Sequence, residues 1–378
     1  MISSKPAKPR ICVVTARSCL RHAFRCNVYS GEDVLAEIDA VDLVHLKPAR
    51  AFEWRREMHK KLVWHDYTRT LVSTNMAFQP VQLENEYDLF VAYMPLSQDL
   101  IHIPSIKGWK DKCRTSVCWI DEVWASDVPA LSSWLPALSR FDHVFVGFSG
   151  SVEALSNATG RAWHFMPIAV DALQMSPYPR PPERVIDIFS MGRRSEGLHR
   201  ALLGMAAKNR LFYVHDTVSS SSYAQVPDHR RHRDMLASMA KRSRLFVVAP
   251  AKFDAPEETG PQVEIGLRYY EAAAAGAVMV GQAPACESFR SLFDWPDAVI
   301  GIEPDCSDVA EVLGSLLSQS ERMSAIGRVN AMQALLRHDW VYRWKQVLGV
   351  AGLDPAPQMQ ERELYLKRLA DRIADEAG

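Results

Sequence analysis

An alanine-rich helical stretch, a glycine and an apolar strand follow one another without a gap between residues 264 and 281. They read Glu-Ile-Gly-Leu-Arg-Tyr-Tyr-Glu-Ala-Ala-Ala-Ala-Gly-Ala-Val-Met-Val-Gly. That order restricts the chain to folds in which a helix lies flat on a sheet. Ala272 to Ala275 remove the bulk that would hold the two apart. Gly276 suits the left-handed position that closes a helix. A helix over the whole stretch puts Glu264, Arg268 and Glu271 at i, i+4 and i+7, on one face. A polar face beside a tight helix–strand unit is how open α/β sheets present groups to a ligand at their strand ends. A solvated salt-bridge stripe on an ordinary Rossmann-type helix has the same pattern.

Short apolar segments alternate with helical patterns along the rest of the chain. In the first half the expected strands are Ile11 to Thr15, Asp42 to Leu46, Asp88 to Tyr93, Thr115 to Ile120, His143 to Phe148 and Trp163 to Pro167. In the second half they are Val185 to Met191, Leu211 to His215, Leu245 to Ala249, Ala277 to Gly281 and Ala298 to Ile302. Amphipathic or mixed stretches, such as Arg50 to His65, lie between them, and Ser219 to Ser222 reads as a loop. Alternation of this kind predicts mainly parallel sheets with covering helices. Ser176 to Arg184 holds four prolines in nine residues and makes a stiff connection. The expected organisation is an α/β domain over 1–175, a linker over 176–184, a second α/β domain over 185–330, and closing helices over 331–378 that pack back toward the first. Clefts between domains are preferred ligand sites.

The segment from Glu271 to Val280 resembles the donor-site motif of the group-1 glycosyltransferases of GT-B fold. That resemblance implies two Rossmann-like domains facing a cleft, and a glutamate, here Glu271, that accepts hydrogen bonds from the ribose hydroxyls of a nucleotide sugar. A carboxylate has two acceptor oxygens for the diol's two donors. The family has an earlier glutamate at the position of Val263, whereas this chain carries Glu264 one residue later. Three more segments match in family order: Val185 to Arg194, with its strand and Gly192-Arg193; His164 to Asp171, with alanine for the usual glycine; and Ala331 to Trp344. The N-terminal third matches in strand pattern only, with Thr15-Ala-Arg-Ser-Cys-Leu-Arg-His22 where many members have a glycine-rich loop. The resemblance puts an arginine and a lysine on the donor's diphosphate. Arg193 matches the first, and Arg200 is the nearest basic substitute for the second. It also implies that the backbone of Ile265, Gly266 and Leu267 contacts phosphate or sugar. Gly192, Arg194 and Arg268 complete the expected donor site, although surface solvation explains Arg194 and Arg200 equally well. Retention of anomeric configuration follows from the family alone.

A departing diphosphate needs its charge neutralised by a metal or by basic groups and amides. The sequence has no Asp-x-Asp, so a metal-free reaction without a cofactor is expected. Arg193 and Glu264 are the catalytic candidates of the second domain. In the first, Asp121 and Glu122 end a strand and could bind acceptor hydroxyls or act as a base, with a helix N-cap as the simpler role for Asp121. His22, His65 and His102 are lone histidines and take no catalytic role. Asp228 to Asp234 is strongly basic. It reads as a solvated helix face, or else as a contact for anionic lipid or acidic glycan.

A net charge of -1 gives no case for nucleic acid as partner. Apolar residues make up 48% of the chain, yet no run approaches the ~18 residues of a spanning helix. Peripheral membrane contact is left open. The seven scattered cysteines and the missing signal-peptide pattern point to a reducing cytoplasm. Asn157-Ala-Thr159 is then an incidental sequon. The expected partners are a nucleotide-sugar donor and an unidentified acceptor. A non-catalytic nucleotide- or glycan-binding relative is the alternative. A dehydrogenase is disfavoured because no Gly-x-Gly-x-x-Gly follows a strand.

Overall fold

Two parallel sheets organise the chain in a computed structural model that describes residues 8–63, 74–217 and 225–376. Both His65 and the Ser219–Ser222 segment lie outside the described residues. The chain divides into two compact units. The first comprises Met1–Ile168 and Arg343–Gln360, the second Ala169–Tyr342 and Glu361–Gly378. The proline-rich stretch 176–184 therefore falls inside the second unit.

The strands of the first unit are β1 (Ile11–Thr15), β2 (Val41–His45), β3 (Val81–Gln82), β4 (Tyr87–Leu96), β5 (Ile106–Lys107), β6 (Cys113–Glu122), β7 (His143–Val146) and β8 (His164–Phe165). Six of them form one sheet in the order β2-β1-β4-β6-β7-β8, and β3 pairs with β5 apart from it. Its central strands are apolar on both faces: every residue of β1 is buried, as are Val117 to Ile120 of β6. That is the pattern of a parallel sheet covered on both sides. On one face Tyr93 stacks on Trp119 at 4.3 Å between ring centroids. Trp344, from the returning segment of this unit, meets both rings edge-on and donates its indole N–H to Gly31 O at 2.9 Å. On the other face Trp109 lies between Phe90 and Phe141.

The second unit has β9 (Ile186–Ser190), β10 (Tyr213–His215), β11 (Ser243–Val248), β12 (Val278–Gly281) and β13 (Ile300–Gly301) in the order β10-β9-β11-β12-β13. All strands expected from the sequence form, with ends shifted by a few residues. The Leu267–Ala274 helix buries Ala272, Ala273 and Ala274, and Gly276 closes it at φ +61°. Close approach requires that glycine and its partner. A Cβ on Gly327, in the Ser320–Arg337 helix, would stand 2.5 Å from Gly276 O. All seven cysteines are free thiols. Among the described residues no helix is long and apolar enough to cross a membrane.

Candidate functional site

β9 is flanked by β10 on one side and β11 on the other, so the turn leaving it sits where the strand order reverses. In open parallel sheets such a switch point opens a crevice at the strand ends. The turn is Met191-Gly192-Arg193-Arg194. Gly192 takes φ +82°, a conformation that a side chain disfavours. Its N–H donates to Asp216 Oδ2 at 2.8 Å, just beyond the end of β10. Arg194 clamps the same residue, with Nη1 on Asp216 Oδ1 and Nη2 on Asp216 O, each at 2.7 Å. Arg193 turns the other way and donates Nη1 to Asp254 Oδ1 at 2.6 Å, in the loop after β11. Its side chain stays 37% exposed, against 14% for Arg194. Arg193 thus presents a charged edge to solvent, whereas Arg194 serves mainly to brace the turn.

The expectation of one helix from Glu264 onward needs correction. The helix begins at Leu267, after Gly266 at φ -75° and ψ 154°. Glu264 therefore shares no helical face with Arg268 and Glu271. The cause is contact with the end of β11. Glu264 O accepts from Ala251 N at 2.9 Å, and a Cβ on Gly266 would lie 2.9 Å from Ala249 O. The close packing holds 264–266 in an extended path. The Glu264 carboxylate is buried and accepts Gln262 Nε2 at 2.7 Å, while Val263 stays at the surface. Gly266 is the N-cap residue and has no side chain to cap the helix. The amides of Ile265, Gly266 and Leu267 stand at a helix start, where N–H groups lack intrahelical acceptors and favour anions.

Glu271 is fully buried, and both of its oxygens are engaged: Oε1 by Arg233 Nη1 and Oε2 by Arg268 Nη1. Burial alone would raise its pKa; the Arg268 and Arg233 guanidiniums outweigh that and hold it below the ordinary value. Arg233 corrects the reading of 228–234 as a solvated face. Arg231 does point out, with 88% of its side chain exposed, but Arg233 is buried. The signal was present in the sequence: Arg233, Leu236, Ala237 and Ala240 form one buried stripe at i, i+3, i+4 and i+7 of the His229–Lys241 helix. Arg268 also donates Nε to Met191 O at 2.9 Å, tying its helix to the end of β9. Arg200, by contrast, is 73% exposed and pairs with Glu196 on its own helix.

In the first unit, Asp121 and Glu122 end β6 as expected, but Asp121 caps no helix. Tyr93 Oη donates to Asp121 Oδ2 at 3.0 Å, and Asp121 Oδ1 is buried without a partner. Burial pushes this carboxyl up to about 8, against the Tyr93 hydrogen bond that favours its charged form. Glu122 Oε1 accepts Trp124 Nε1 at 3.1 Å. Where a glycine-rich loop was absent from the sequence, Arg17 follows β1 and is gripped by Glu32 and Asp33. His102 is buried and edge-on to Phe78, and burial drives it down to about 3, so it is a neutral core residue. Among the described residues no group of three or more His, Cys, Asp or Glu side chains is placed to hold a metal.

Residues 193–349 match the family described as "Glycosyl transferase-like". That stretch carries Arg193, Asp216, Asp254, Arg268 and Glu271. No curated protein sequence matches the chain. Among solved structures, Anabaena HepE in complex with UDP and glucose is similar at TM-score 0.52 and 11% identity, covering 90% of this chain and 99% of that one. An α-glucosyltransferase in complex with UDP and a 13-mer DNA containing a HMU base gives TM-score 0.53 at 11% identity, covering 92% and 100%. The same values hold for its complex with UDP-glucose and DNA containing an abasic site. Each of these likenesses covers most of the chain and shows its fold, the GT-B fold of two Rossmann-like α/β domains.

Proposed function

We propose that this chain transfers a sugar from a nucleotide donor to a hydroxyl acceptor, with the second unit holding the donor. The observation that carries this reading is the turn at Gly192. A half-exposed arginine, steadied by Asp254, stands at a strand-order switch point. A guanidinium there suits the two phosphates of a nucleoside diphosphate, which leave as the sugar's anomeric C–O bond breaks. The amides of Ile265, Gly266 and Leu267 supply further donors at a helix start. UDP is the first candidate, because UDP or UDP-glucose occupies the structurally similar proteins. On the first unit, Asp121 and Glu122 are the candidates for the acceptor hydroxyl. The new bond forms between its oxygen and the anomeric carbon, and its proton passes to a base or to the leaving phosphate. Retention of configuration and independence of metal belong to the same reading. A net charge of -1 argues against DNA as acceptor here.

The test is a thermal-shift panel of nucleoside diphosphates and their sugars, followed by acceptor-dependent release of the nucleotide. A melting temperature that rises with UDP concentration supports the donor reading. Saturable binding without turnover across an acceptor panel would make the chain a binding relative rather than an enzyme. No response to any nucleotide would refute the donor site.

A further inference from the structure

On its β10 side the turn at Gly192 rests against two histidines. His199 stands in the first turn of the Glu196–Ala207 helix, whose N-cap is Ser195. His215 ends β10, in register with Ser190 at the end of β9. Tyr213 is two residues earlier on the same strand, and so on the same face. His199 Nδ1 lies 2.9 Å from Tyr213 Oη. The two imidazoles meet edge-on at 4.7 Å between ring centroids, and the Tyr213 ring lies 4.8 Å from that of His215. Both histidines are partly exposed, so protons reach them from solvent.

A single oxygen links this cluster to the turn. His215 Nδ1 donates to Asp216 O at 2.8 Å. A carbonyl can only accept, so this nitrogen carries the hydrogen and Nε2 is the basic one. Arg194 Nη2 donates to the same oxygen at 2.7 Å, while its Nη1 holds Asp216 Oδ1. Asp216 Oδ2 in turn accepts the Gly192 N–H. Protonation of His215 therefore puts a second cation on the oxygen that Arg194 shares. The two like charges repel, and a charged imidazole is the stronger donor to that oxygen. His199 adds to the same balance: burial, Arg194 and His215 hold its imidazole below the ordinary range, against the opposing charge of Glu196. Tyr213 stays a neutral phenol, since burial raises it. On the other side of Asp216 is His232 of the His229–Lys241 helix, which burial, Arg233 and Arg268 also hold down, against Glu271 and Asp216. The fold thus favours the neutral form of His199. That contribution is fully present above about pH 6.5 and is lost as the pH falls through the folded value.

We propose that His199 and His215 form a proton-operated brace on the Gly192 turn. Uncharged, they leave Asp216 to Arg194 and to the Gly192 N–H. Once charged, they weaken that clamp and loosen the turn that carries Arg193. They are positioning residues. Arg193 and the amides of 265–267 lie on the β11 side of the turn, with Asp254 and Ala251, so the histidine charge acts through the clamp and not on a bound phosphate. The effect on donor affinity rests on the nucleotide-donor reading above, whereas the effect on the turn does not.

Hydrogen exchange on the full chain reads the brace without any ligand. The Gly192 amide, followed by mass spectrometry and corrected for its intrinsic rate, should lose about 3- to 10-fold in protection between about pH 7.5 and about pH 5, as for repulsion between partly exposed charges. The double variant His199→Gln, His215→Gln should keep most of its protection over that range, because a glutamine can donate to Asp216 O but takes up no proton. Each single variant should fall between, and the singles carry the test if circular dichroism shows the double variant unfolded. Titration calorimetry then uses UDP-glucose, which lacks the terminal phosphate that titrates near this range in UDP. Wild-type affinity should fall by a similar factor in acid, and that of the double variant should change less. The brace is overturned if Gly192 protection falls equally in the wild type and the variants. UDP-glucose affinity that stays constant or rises in acid also overturns it, for then the histidines do not act on the donor through the clamp. Histidine-dependent protection without UDP-glucose binding at either pH would uphold the brace and count against the UDP donor reading alone.

Discussion

Replacing Arg193 by alanine separates a catalytic arginine from a structural one. Arg193 is tied to the fold by an ion pair with Asp254 at 2.6 Å, and 37% of its side chain is exposed. An exposed pair of that kind contributes about 0–1 kcal/mol to stability. Arg193→Ala should therefore leave the melting temperature within a few degrees of the wild type. Its effect on turnover is larger, because charge on the leaving diphosphate grows as the sugar bond breaks. By analogy with loss of one oxyanion donor, kcat should fall on the order of 100-fold, roughly 2.7 kcal/mol in the barrier. The KM for donor should move less, since the ground-state diphosphate is also bound by helix-start amides in this reading. Arg193→Lys keeps the charge and loses the planar fork, so it should recover only part of the rate. Arg200→Ala is the control and should change neither kcat nor KM, as Arg200 faces solvent. Arg194→Ala should act first on stability, because Arg194 braces Asp216, which in turn holds the Gly192 N–H. Steady-state nucleotide release and thermal melts on the same preparations read all four variants. Near-normal kcat in Arg193→Ala would refute the reasoning. If Arg194→Ala lost its rate instead while remaining folded, the two arginines would have exchanged roles.

Asp99→Ala should cost about 3–5 kcal/mol in a urea melt, because it leaves Arg25 buried without its bidentate partner at 2.7 and 2.9 Å. Burial pushes the Asp99 carboxyl up, but the Arg25 and Arg56 guanidiniums outweigh it and hold the group well below the ordinary range. Its stabilisation is therefore present above about pH 4 and lost as the pH falls toward the folded value. An unchanged melt for Asp99→Ala would contradict the pairing. Asp121 carries the opposite sign. Its folded carboxyl is raised to about 8, so its contribution is fully present below about pH 4 and lost as the pH rises through 8. Asp121→Asn should flatten that loss between about pH 4 and pH 8, and identical pH–stability curves for variant and wild type would rule it out. A chelator should leave donor turnover largely intact, since the sequence lacks Asp-x-Asp; loss on chelation that manganese or magnesium restores would overturn metal independence.

The central strands, such as β1 and β6, were legible because they are buried on both faces and read as apolar runs. The turn at Gly192 was legible through resemblance, as the Gly-Arg pair that follows a strand in the family pattern. Side-chain partnerships were harder to read. Arg193 and Arg194 are neighbours in sequence but turn to Asp254 and Asp216, which follow different strands. Nothing local in the sequence assigns those pairs. Glu264 looked helical because the residues after it are helical, and the packing of Gly266 on Ala249 O decided otherwise. Arg233 was hidden by its basic neighbours, although its spacing to Leu236 and Ala240 already put it on the apolar stripe. Composition alone reads a cluster of charges as surface, while periodicity tells which member of the cluster turns inward.

The ion-pair cluster after the first strand of each sheet carries an opposite charge balance, and that difference fits a division of labour in the proposed reaction. In the second unit four arginines (193, 194, 233 and 268) meet three carboxylates (Asp254, Asp216 and Glu271). The surplus is positive, and it lies where the backbone amides of a helix start also favour anions. In the first unit Arg17, in the loop after β1, meets two carboxylates, Glu32 and Asp33, while Arg21 of the same loop is exposed. Burial raises Glu32, and Arg17 opposes that effect without cancelling it. Those two carboxylates neutralise Arg17. An acceptor's hydroxyl asks for something different: hydrogen-bond acceptors to orient its proton and no cation to lower its nucleophilicity. The arginine that stands in place of a glycine-rich loop is thus internally satisfied, and it fixes the path after β1 through side-chain ion pairs instead of through backbone freedom.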